Sequence, residues 1–422
     1  MVLQFGISNF LSYDEPAVIQ LSSSTKETAF STDYIGFKQY KILKYASIFG
    51  TNASGKSSLI KSVRFFTDCV RNNKNLERGS SFYCKVKKEN EEKISSFEIV
   101  ILYKEYFYQY GFGVILKTGK IQEEYLNKIT PSTNKSTEIF RRSSESGNYV
   151  DYIKTSLINN RLIISLIGES EETNDKKYYD EIKGVYEYIS KRIVVIDNNT
   201  SSNYLFTEKE IDSNFIKILH AFDFNISKVK KTNIPWDVFS GLVRPEIVAD
   251  VKKAILSSPN KKSTLFLQNK FYYIEVINDD INITKIGFEH YNSENPFDFG
   301  EESDGTLRIM DFIPIFFIKT QLTFFIDEIE RSLSSDMVIQ FFKMLRDAGN
   351  ISQIVYTTHE DELFDHNNQR IDSIYIVVKD SLGTSHLRRL SQFKNIYKEN
   401  NINDKYLQGR YGGRSKFYNT EI

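Results

Sequence analysis

Cysteine is nearly absent from this sequence. Cys69 and Cys84 are the only two cysteines in 422 residues. Two poorly spaced thiols exclude a disulfide framework, and they are too few for a structural zinc site. We therefore expect two ordinary thiols in a reducing compartment, the cytoplasm.

Proline and long apolar runs are also scarce. Seven prolines, 40% hydrophobic residues and 14% aromatic residues argue against extensive disorder. No stretch approaches the roughly 18 uninterrupted apolar residues that suggest a membrane span, and residues 1–5 lack the features of a signal peptide. We expect a soluble, cytoplasmic protein without membrane contact, folded as two or three lobes at about 150 residues per domain.

Net charge is the third absence. Lys plus Arg and Asp plus Glu both number 55, so whole-molecule charge gives no argument for nucleic-acid binding. Basic stretches at residues 85–88, 228–231 and 388–389 favour solvated faces, with local nucleic-acid contact as the alternative.

A glycine-rich segment at residues 50–57 carries the strongest chemical signal. An apolar run at 45–49 precedes it and an apolar-periodic run at 58–66 follows, which is the strand, loop and helix context of a phosphate-binding loop. A Gly/Ser-rich turn before a helix is the alternative. The predicted nucleotide-binding residues are Gly50, Thr51, Asn52, Ala53, Ser54, Gly55, Lys56, Ser57 and Ser58.

Each residue type in this loop suits a phosphate. Gly50 and Gly55 let the backbone curl so that its N–H groups face phosphate oxygens. Lys56 would reach the outer phosphates, and Ser57 would offer a hydroxyl to Mg²⁺ at a helix N-terminus. We therefore predict ATP and Mg²⁺ as ligands.

Two carboxylates follow an apolar run at residues 322–326. Asp327 and Glu328 would lie at the carboxyl end of a buried strand, where α/β proteins bind ligands. In a phosphate-loop site Asp327 would hold Mg²⁺ through water, and Glu328 would orient or deprotonate the attacking water. The alternative is a strand that ends in a polar loop.

A Ser-x-Gly turn precedes the apolar run at residues 309–318. Ser303 and Gly305 would open a helix whose free N–H groups, together with the Ser303 hydroxyl, receive a γ-phosphate. An ordinary acidic N-cap is the alternative, because Glu301, Glu302 and Asp304 are nearby.

A histidine ends another apolar run. His359 follows residues 353–357, and one helix at 337–348 fits between Glu328 and this run. The two strands would then be neighbours, so we expect His359 beside the carboxylates, where it would sense a γ-phosphate or the attacking water. A structural histidine is the alternative.

Periodicity divides the chain into three regions. Residues 1–125 are predicted to be strand-rich, with strands at 2–7 and a hairpin of 97–103 and 106–114. Residues 126–255 are predicted to be a mostly helical insertion, and residues 256–422 an α/β region. In the insertion, apolar-periodic segments at 152–167 and 178–196 lie between polar loops at 130–148 and 198–204; strands return at 264–268, 271–277 and 281–288.

Together these motifs resemble the ABC-type ATPase heads of the RecF and SMC class, because the order is the same. Closer still is the AAA15/AAA21 group of bacterial ATPases, often found in anti-phage defence or abortive-infection systems. The similar segments are Glu-Ser-Asp-Gly-Thr at 302–306, the start at 7–12, the switch strand at 357–360, and Tyr-Leu-Gln-Gly-Arg-Tyr-Gly-Gly at 406–413.

The resemblance implies an α/β, ABC-type P-loop ATPase head with a strand-rich N-terminal lobe. It implies slow ATP hydrolysis with Glu328 and His359 as catalytic residues. Two heads would close on ATP, with Ser303 and Gly305 of one completing the site of the other in a homodimer or higher oligomer. A separately encoded nuclease or toxin would be controlled, with a phage protein or nucleic acid as trigger.

Some residues depart from the resemblance. Residues 332–335 read Ser-Leu-Ser-Ser where the group usually has Ser-Leu-His-Pro, and Leu11 stands where a basic residue is frequent. Gln109 and Gln122 are candidates for the Q-loop glutamine. A RecF-like DNA-repair ATPase that clamps DNA, and an assembly scaffold with vestigial hydrolysis, are the rival functions.

Overall fold

The computed structural model describes residues 1–72, 76, 79–143, 160–170, 178–197, 213–257, 261–278, 280–364 and 368–414. The chain divides into two compact units. Unit 1 comprises Met1–Asn198, Lys319–Glu330 and Gly349–Ile422, and unit 2 comprises Asn199–Ile318 and Arg331–Ala348.

The strands are numbered in chain order. They are β1 (Val2–Ser8), β2 (Ala17–Gln20), β3 (Tyr34–Phe37), β4 (Tyr40–Leu43), β5 (Tyr45–Phe49), β6 (Ser95–Tyr103), β7 (Tyr106–Ile115), β8 (Lys120–Thr130), β9 (Lys135–Ser143), β10 (Ile193–Ile196), β11 (Ile226–Ile234), β12 (Lys262–Leu267), β13 (Lys270–Ile277), β14 (Asp280–His290), β15 (Phe297–Asp298), β16 (Thr323–Ile326), β17 (Gln353–Thr357), β18 (Ile374–Lys379) and β19 (Ser385–Arg389).

The α-helices of the described residues are α1 (Lys56–Asn72), α2 (Ile163–Gly168), α3 (Tyr179–Arg192), α4 (Ser213–Ala221), α5 (Trp236–Leu242), α6 (Pro245–Ser257), α7 (Asp304–Phe312), α8 (Pro314–Phe317), α9 (Ser335–Asp347) and α10 (Ile402–Leu407). Short 3-10 helices are Ser31–Asp33, Lys88–Glu91, Phe299–Glu301, Asp361–Leu363, Ile371–Ser373, Leu390–Gln392 and Ile396–Lys398.

A largely parallel sheet forms the centre of unit 1. Its strand order is β10-β16-β17-β5-β18-β19, and every neighbouring pair except β18 and β19 is parallel. Strands β5, β16 and β17 are buried along their whole length, as expected for parallel strands covered on both faces. The carboxyl ends of β16, β17, β5 and β18 therefore lie side by side.

An antiparallel sheet with the order β2-β1-β6-β7-β8-β9 forms the second layer of unit 1. Helix α1 packs between the two sheets: the ring of Phe66 lies 5.6 Å from Phe5 of β1 and 5.7 Å from Phe112 of β7. Phe5 in turn lies 6.3 Å from Phe325 of β16. Since Lys56 begins α1, this packing fixes the helix that follows the phosphate-binding loop.

Several strands lie where the sequence predicts them. The hairpin of β6 and β7 turns between Tyr103 and Tyr106, which pair with each other. Strands also occur at the predicted positions in β1, β12, β13 and β14. The predicted α/β fold class is confirmed.

The region predicted as a mostly helical insertion contains strands as well as helices among its described residues. The boundary at residues 125 and 126 falls inside β8, and β9 (Lys135–Ser143) occupies much of the predicted polar loop at 130–148. Pairing with β8 stabilises this edge strand in spite of its polar composition, and it buries Phe140 opposite Leu126. The boundaries of the two compact units thus differ from the boundaries of the three predicted regions.

The periodic segment at 178–196 begins as helix α3 and ends as strand β10, which joins the parallel sheet beside β16. Residues 179–196 therefore lie in unit 1. Residues 152–159 and 198–204, which carried parts of the predicted segment and loop, lie outside the described residues.

A buried carboxylate joins β8 to the start of α2. Glu124 is fully buried and accepts hydrogen bonds from the backbone N–H groups of Ile163 (2.8 Å) and Ile164 (3.1 Å). Arg142 of β9 donates to the same carboxylate at 3.0 Å. Burial raises the pKa of Glu124, and the charge of Arg142 acts in the opposite direction. These bonds satisfy N–H groups that a helix N-terminus leaves unpaired.

Unit 2 has its own antiparallel sheet and core. The strand order is β11-β14-β13-β12, with β15 added to β14. Its core contains Phe239 of α5, Ile255 of α6 and Ile274 of β13. No helix in the described part of the chain is long and apolar enough to cross a bilayer.

Candidate nucleotide-binding site

The loop after β5 has the backbone that a phosphate-binding loop requires. Gly50 has a φ of 154° and Gly55 a φ of 117°, a region that favours glycine. The close packing around the loop also requires glycine at both positions. A Cβ on Gly50 would lie 2.7 Å from the carbonyl oxygen of Val377, and one on Gly55 would lie 2.3 Å from the hydroxyl of Ser385.

Lys56 lies within the curve of this loop. Its Nζ donates hydrogen bonds to the carbonyl oxygens of Gly50 (2.6 Å) and Thr51 (3.0 Å). Burial lowers the pKa of Lys56, and the carboxylates of the neighbouring loop act in the opposite direction, with Glu330 the largest of them and Asp327 next. The ammonium thus faces both the loop and the acidic end of β16.

Residues from two other elements hold the loop in place, and the sequence did not point to them. The hydroxyl of Tyr13 donates to Gly55 O (3.1 Å), and that of Ser385 donates to Ser54 O (2.5 Å). These hydroxyls follow β1 and begin β19. No local motif marks them, because they act through contacts between distant parts of the chain.

Asp327 and Thr357 form the next part of the site. The Thr357 hydroxyl, at the end of β17, donates to Asp327 Oδ1 at 2.6 Å. Burial raises the pKa of Asp327, whereas its hydrogen bonds with Thr357 and with the Ser57 hydroxyl lower it. The structure therefore brings the side chains of Ser57 and Asp327 into contact.

These two oxygen donors fit Mg²⁺. The ion prefers hard oxygen ligands and usually keeps several waters while it binds one or two carboxylates and substrate phosphates. Among the described residues no group of three or more His, Cys, Asp or Glu side chains forms a metal cage. Ser57 and Asp327 are thus suited to a metal that takes few ligands from the protein.

Glu328 has an unusual backbone. Its φ is 48°, in the left-handed region, which non-glycine residues adopt rarely and at some cost in energy. Its N–H donates to the Thr357 hydroxyl at 2.8 Å, and its side chain lines the pocket over the loop. Thr357 therefore fixes both carboxylate residues.

His359 follows β17, the neighbour of β16, and its side chain contacts Glu330, two residues beyond Glu328. Its side chain is 44% exposed, and Nδ1 lies 2.7 Å from Oε1 of Glu330, a carboxylate that is almost fully buried. The backbone N–H of His359 donates to the same oxygen at 2.8 Å. Burial raises the pKa of Glu330, and the N–H and charge of His359 oppose that rise. Glu330 therefore orients His359.

A second pocket lies on the His359 side of the loop. It has a volume of about 210 Å³. Part of its wall comes from the C-terminal segment that carries the similar residues 406–413. Its lining residues are Gly50, Thr51, Asn52, His359, Asp361, Tyr406, Gly413 and Arg414.

Ser303 and Gly305 lie in unit 2, at the start of α7. Ser303 is the N-cap: its hydroxyl accepts from the backbone N–H of Thr306 at 3.1 Å. Glu302 is turned toward His290, whose Nε2 lies 2.8 Å from its carboxylate. A Cβ on Gly305 would lie 2.8 Å from the carbonyl oxygen of Ser332. The serine, rather than an acid, thus caps this helix.

Neither Q-loop candidate lines the pocket over the phosphate-binding loop. Gln109 lies in β7 and donates to Glu98 Oε2 at 2.7 Å. Gln122 lies in β8. No role in the nucleotide site follows for either residue from these positions.

A protein-family profile described as "AAA domain, putative AbiEii toxin, Type IV TA system" matches residues 46–365. The match spans most of the chain, from β5 to the residues beyond His359. This chain belongs to the AAA_21 family. The resemblance inferred from the motifs is confirmed, and the phosphate-binding loop, Asp327 and Glu328 of this AAA_21 chain all lie within the matched range.

Solved structures similar to the AAA_21 chain are SMC heads. The head bound to the C-winged helix domain of ScpA has 13% identity and a TM-score of 0.41, with 92% of this chain and 96% of that chain covered. The SMC head domain from Thermotoga maritima has 12% identity and a TM-score of 0.39, with 92% of this chain and 98% of that chain covered. The third is the Smc head with an extended coiled coil, bound to the C-terminal domain of ScpA derived from Pyrococcus furiosus. It has 12% identity and a TM-score of 0.40, with 92% of this chain and 95% of that chain covered. No curated protein matches.

Proposed function

We propose that this AAA_21 chain binds ATP with Mg²⁺ and hydrolyses it slowly. The observation that carries the proposal is the meeting of polar groups at the carboxyl ends of three adjacent parallel strands. The phosphate-binding loop follows β5, Asp327 and Glu328 follow β16, and His359 follows β17. Ligands of open α/β sheets bind at such ends.

Each group has a task in this reaction. The loop N–H groups and Lys56 bind the phosphates. Ser57 and Asp327 would hold Mg²⁺, which when bound would supply positive charge to the phosphate oxygens. Glu328 accepts a proton from the attacking water, and His359, oriented by Glu330, hydrogen-bonds near the γ-phosphate.

The site is completed by a second copy of the chain. Ser303 and Gly305 at the N-terminus of α7 meet the γ-phosphate bound to the partner's loop, because a helix N-terminus of this kind attracts anions. ATP thus joins two chains into a homodimer or a higher oligomer, and hydrolysis releases them.

The cellular role that we propose is that of a cytoplasmic sensor and scaffold in phage defence. The family description names a putative toxin and a type IV toxin–antitoxin system, which supports a role in a system of that kind. Within it, the chain would control a separately encoded nuclease or toxin. A phage protein or nucleic acid would act as the trigger by favouring one nucleotide state over the other.

A RecF-like DNA clamp is the second candidate. The observation that favours it is the edge strand β11, on which Lys228, Lys230 and Lys231 are exposed. Lysines also protect edge strands from pairing with other chains. ATP-dependent DNA binding that weakens steeply with salt would favour the clamp over the defence role.

The substitution Glu328→Gln tests the catalytic assignment. We expect hydrolysis to fall at least about 100-fold, because a general base is lost, while ATP still binds and the closed dimer accumulates. Steady-state phosphate release and native mass spectrometry measure the two effects. Glu105→Gln, in the exposed turn between β6 and β7, is the control and should behave as wild type.

Unchanged hydrolysis in Glu328→Gln would remove Glu328 from this role. Wild type that binds ATP with Mg²⁺ without hydrolysing it, even beside its partner, would favour the scaffold with vestigial hydrolysis.

Co-expression with the product of the flanking gene, followed by native mass measurement with and without ATP, tests the partner. We expect a complex whose stoichiometry changes with ATP; no complex under either condition would count against effector control.

A further inference from the structure

Lys379 lies at the end of β18, next to the phosphate-binding loop. Strand β18 runs parallel to β5, with Ile376 paired to Phe49, the last residue before the loop. Three residues later the chain reaches Lys379. Because the strand order is β17-β5-β18, Lys379 leaves the sheet on the opposite side of the loop from His359.

The side chain of Lys379 reaches the phosphate-binding loop at Ala53. Its Nζ donates to the carbonyl oxygen of Ala53 at 3.1 Å, and the residue is exposed. Ala53 has a φ of 59°, so the loop backbone is strongly curved at this contact. The ammonium thus lies at the rim of the pocket that the loop encloses.

No carboxylate of the described residues forms an ion pair with Lys379. The adjacent Asp380 is engaged elsewhere: His386 Nε2 lies 2.8 Å from Oδ2, and the backbone N–H groups of Leu382 and Thr384 donate to Oδ1. The positive charge of Lys379 is therefore not compensated by its neighbour and is available to an anion.

The hairpin of β18 and β19 is fixed against the loop. The Ser385 backbone N–H donates to Ser12 O at 2.8 Å, and the Ser385 hydroxyl donates to Ser54 O. The pocket, about 160 Å³ in volume, is lined by Ser12, Asn52, Ala53, Ser54, Gly55, Lys56, Ser57, Ser58, Glu328 and Lys379. Two cations on different elements thus line one small concave pocket.

We propose that Lys379 is a nucleotide-binding residue that supplies a second cation to the phosphate chain. This inference rests on the proposed ATP-binding function and deepens it. Lys56 serves the outer phosphates, whereas Lys379, on the side away from His359, binds the phosphates nearer the ribose. Charge-assisted hydrogen bonds of this kind are stronger than neutral ones.

Nucleotide titration of the full chain tests the inference. Lys379→Met should weaken binding of fluorescent ATP and ADP analogues about tenfold, and by the same factor, because both carry the inner phosphates. Lys379→Arg should stay within about threefold of wild type, because the charge is kept. Lys394→Met is the matched control, since Lys394 is exposed and lies outside the pocket, and it should bind as wild type does.

A second readout separates charge from loop support. Loss of one ionic contact should make binding by Lys379→Met less sensitive to salt than wild type, while adenosine binding and thermal stability stay unchanged. If Lys379→Met instead weakens ATP and adenosine alike, or binds ATP as wild type does while Lys56→Ala abolishes binding, the inference is overturned. If wild type binds no ATP, the proposed function fails, and the role of Lys379 fails with it.

Discussion

Glu330 shows how one buried side chain can support another that is exposed. Burying a carboxylate costs free energy unless hydrogen bonds compensate it, and here one oxygen accepts both the backbone N–H and Nδ1 of His359. The carboxylate fixes the direction of the ring, whose Nε2 lies 3.6 Å from Oε1 of Glu360. Such outer contacts commonly decide how well an active group is placed.

Replacing Glu330 should therefore affect turnover more than binding. We expect Glu330→Ala to lower kcat about 10- to 100-fold, with the ATP dissociation constant within about threefold of wild type. Glu330→Gln keeps an oxygen acceptor and should lose less. Steady-state kinetics and nucleotide titration provide the two measurements.

A double substitution distinguishes orientation from an independent role. If Glu330 acts through His359, then adding Glu330→Ala to His359→Ala should cause little further loss, because coupled residues are not additive. If the fold-reductions in kcat of the two single substitutions multiply in the double variant, the two residues act independently. That result would contradict the orientation of His359 by Glu330.

At this scale the sequence revealed the motif residues but not their supports. Lys56, Asp327 and Glu328 stand in recognisable order after apolar runs, so they could be recognised as motif residues. Glu330 resembles any acid in a polar loop, and Lys379 precedes Asp380 as in an ordinary exposed turn. Their importance depends on which strands become neighbours, and this is set by tertiary packing.

Among the elements, the C-terminal segment from α10 onward passes close to the phosphate-binding loop. Tyr406 stacks on Phe364 with 3.9 Å between ring centroids. Gly413 then passes so close that a Cβ there would lie 2.6 Å from Ile376 Cγ2 and 3.6 Å from the Cα of Gly50. Small residues allow this segment to reach both β18 and the loop.

Two glycines of this segment offer a matched test. Gly409 and Gly412 both have positive φ, near 80°, but a Cβ on Gly412 would lie 2.7 Å from Val378 Cγ2, whereas one on Gly409 meets only Arg414 Cβ at 3.9 Å. Gly409→Ala should cost about 1 kcal/mol in the free energy of unfolding. Gly412→Ala should cost roughly 2–3 kcal/mol, because it adds a steric clash. Denaturant unfolding measures both, and equal losses would argue against close packing of Gly412 on β18.

The elements best predicted from the sequence were those with a strong apolar signal. Strands β5, β16 and β17 are short apolar runs that end in polar residues, and the structure buries them completely. Strand β9 escaped prediction because it is a sheet edge whose first four residues, Lys135 to Glu138, are exposed. Its partner in β8, rather than its own composition, makes it a strand.

For the whole molecule, the chain order and the spatial order differ. Helix α9 follows the carboxylates directly in sequence, yet it belongs to unit 2, while β17, just after it, returns to unit 1. A division of the sequence into consecutive regions has no means to predict such crossings. Motif order sufficed for the family and fold class because it does not depend on those crossings.

Separate cores predict separable stabilities. Ile274 of β13 and Ile354 of β17 are both fully buried, the first in unit 2 and the second in unit 1. Each substitution to alanine should lower local stability by about 2–5 kcal/mol. We expect Ile274→Ala to speed amide exchange in unit 2 and to leave ATP affinity within about threefold, whereas Ile354→Ala should weaken ATP binding.

Hydrogen exchange followed by mass spectrometry resolves the two units in one experiment. Equal acceleration in both units after either substitution would mean that they open as one cooperative body, and would contradict independent cores.

At Glu328 the left-handed backbone lowers the stability of the fold, while the side chain carries the proposed catalytic role. A glycine there would relieve about 1 kcal/mol of backbone strain, but it would leave no carboxylate over the pocket. A search for more stable variants of this chain would therefore tend to select against its own proposed catalyst. This unfavourable torsion therefore marks a residue that folding alone would not have chosen.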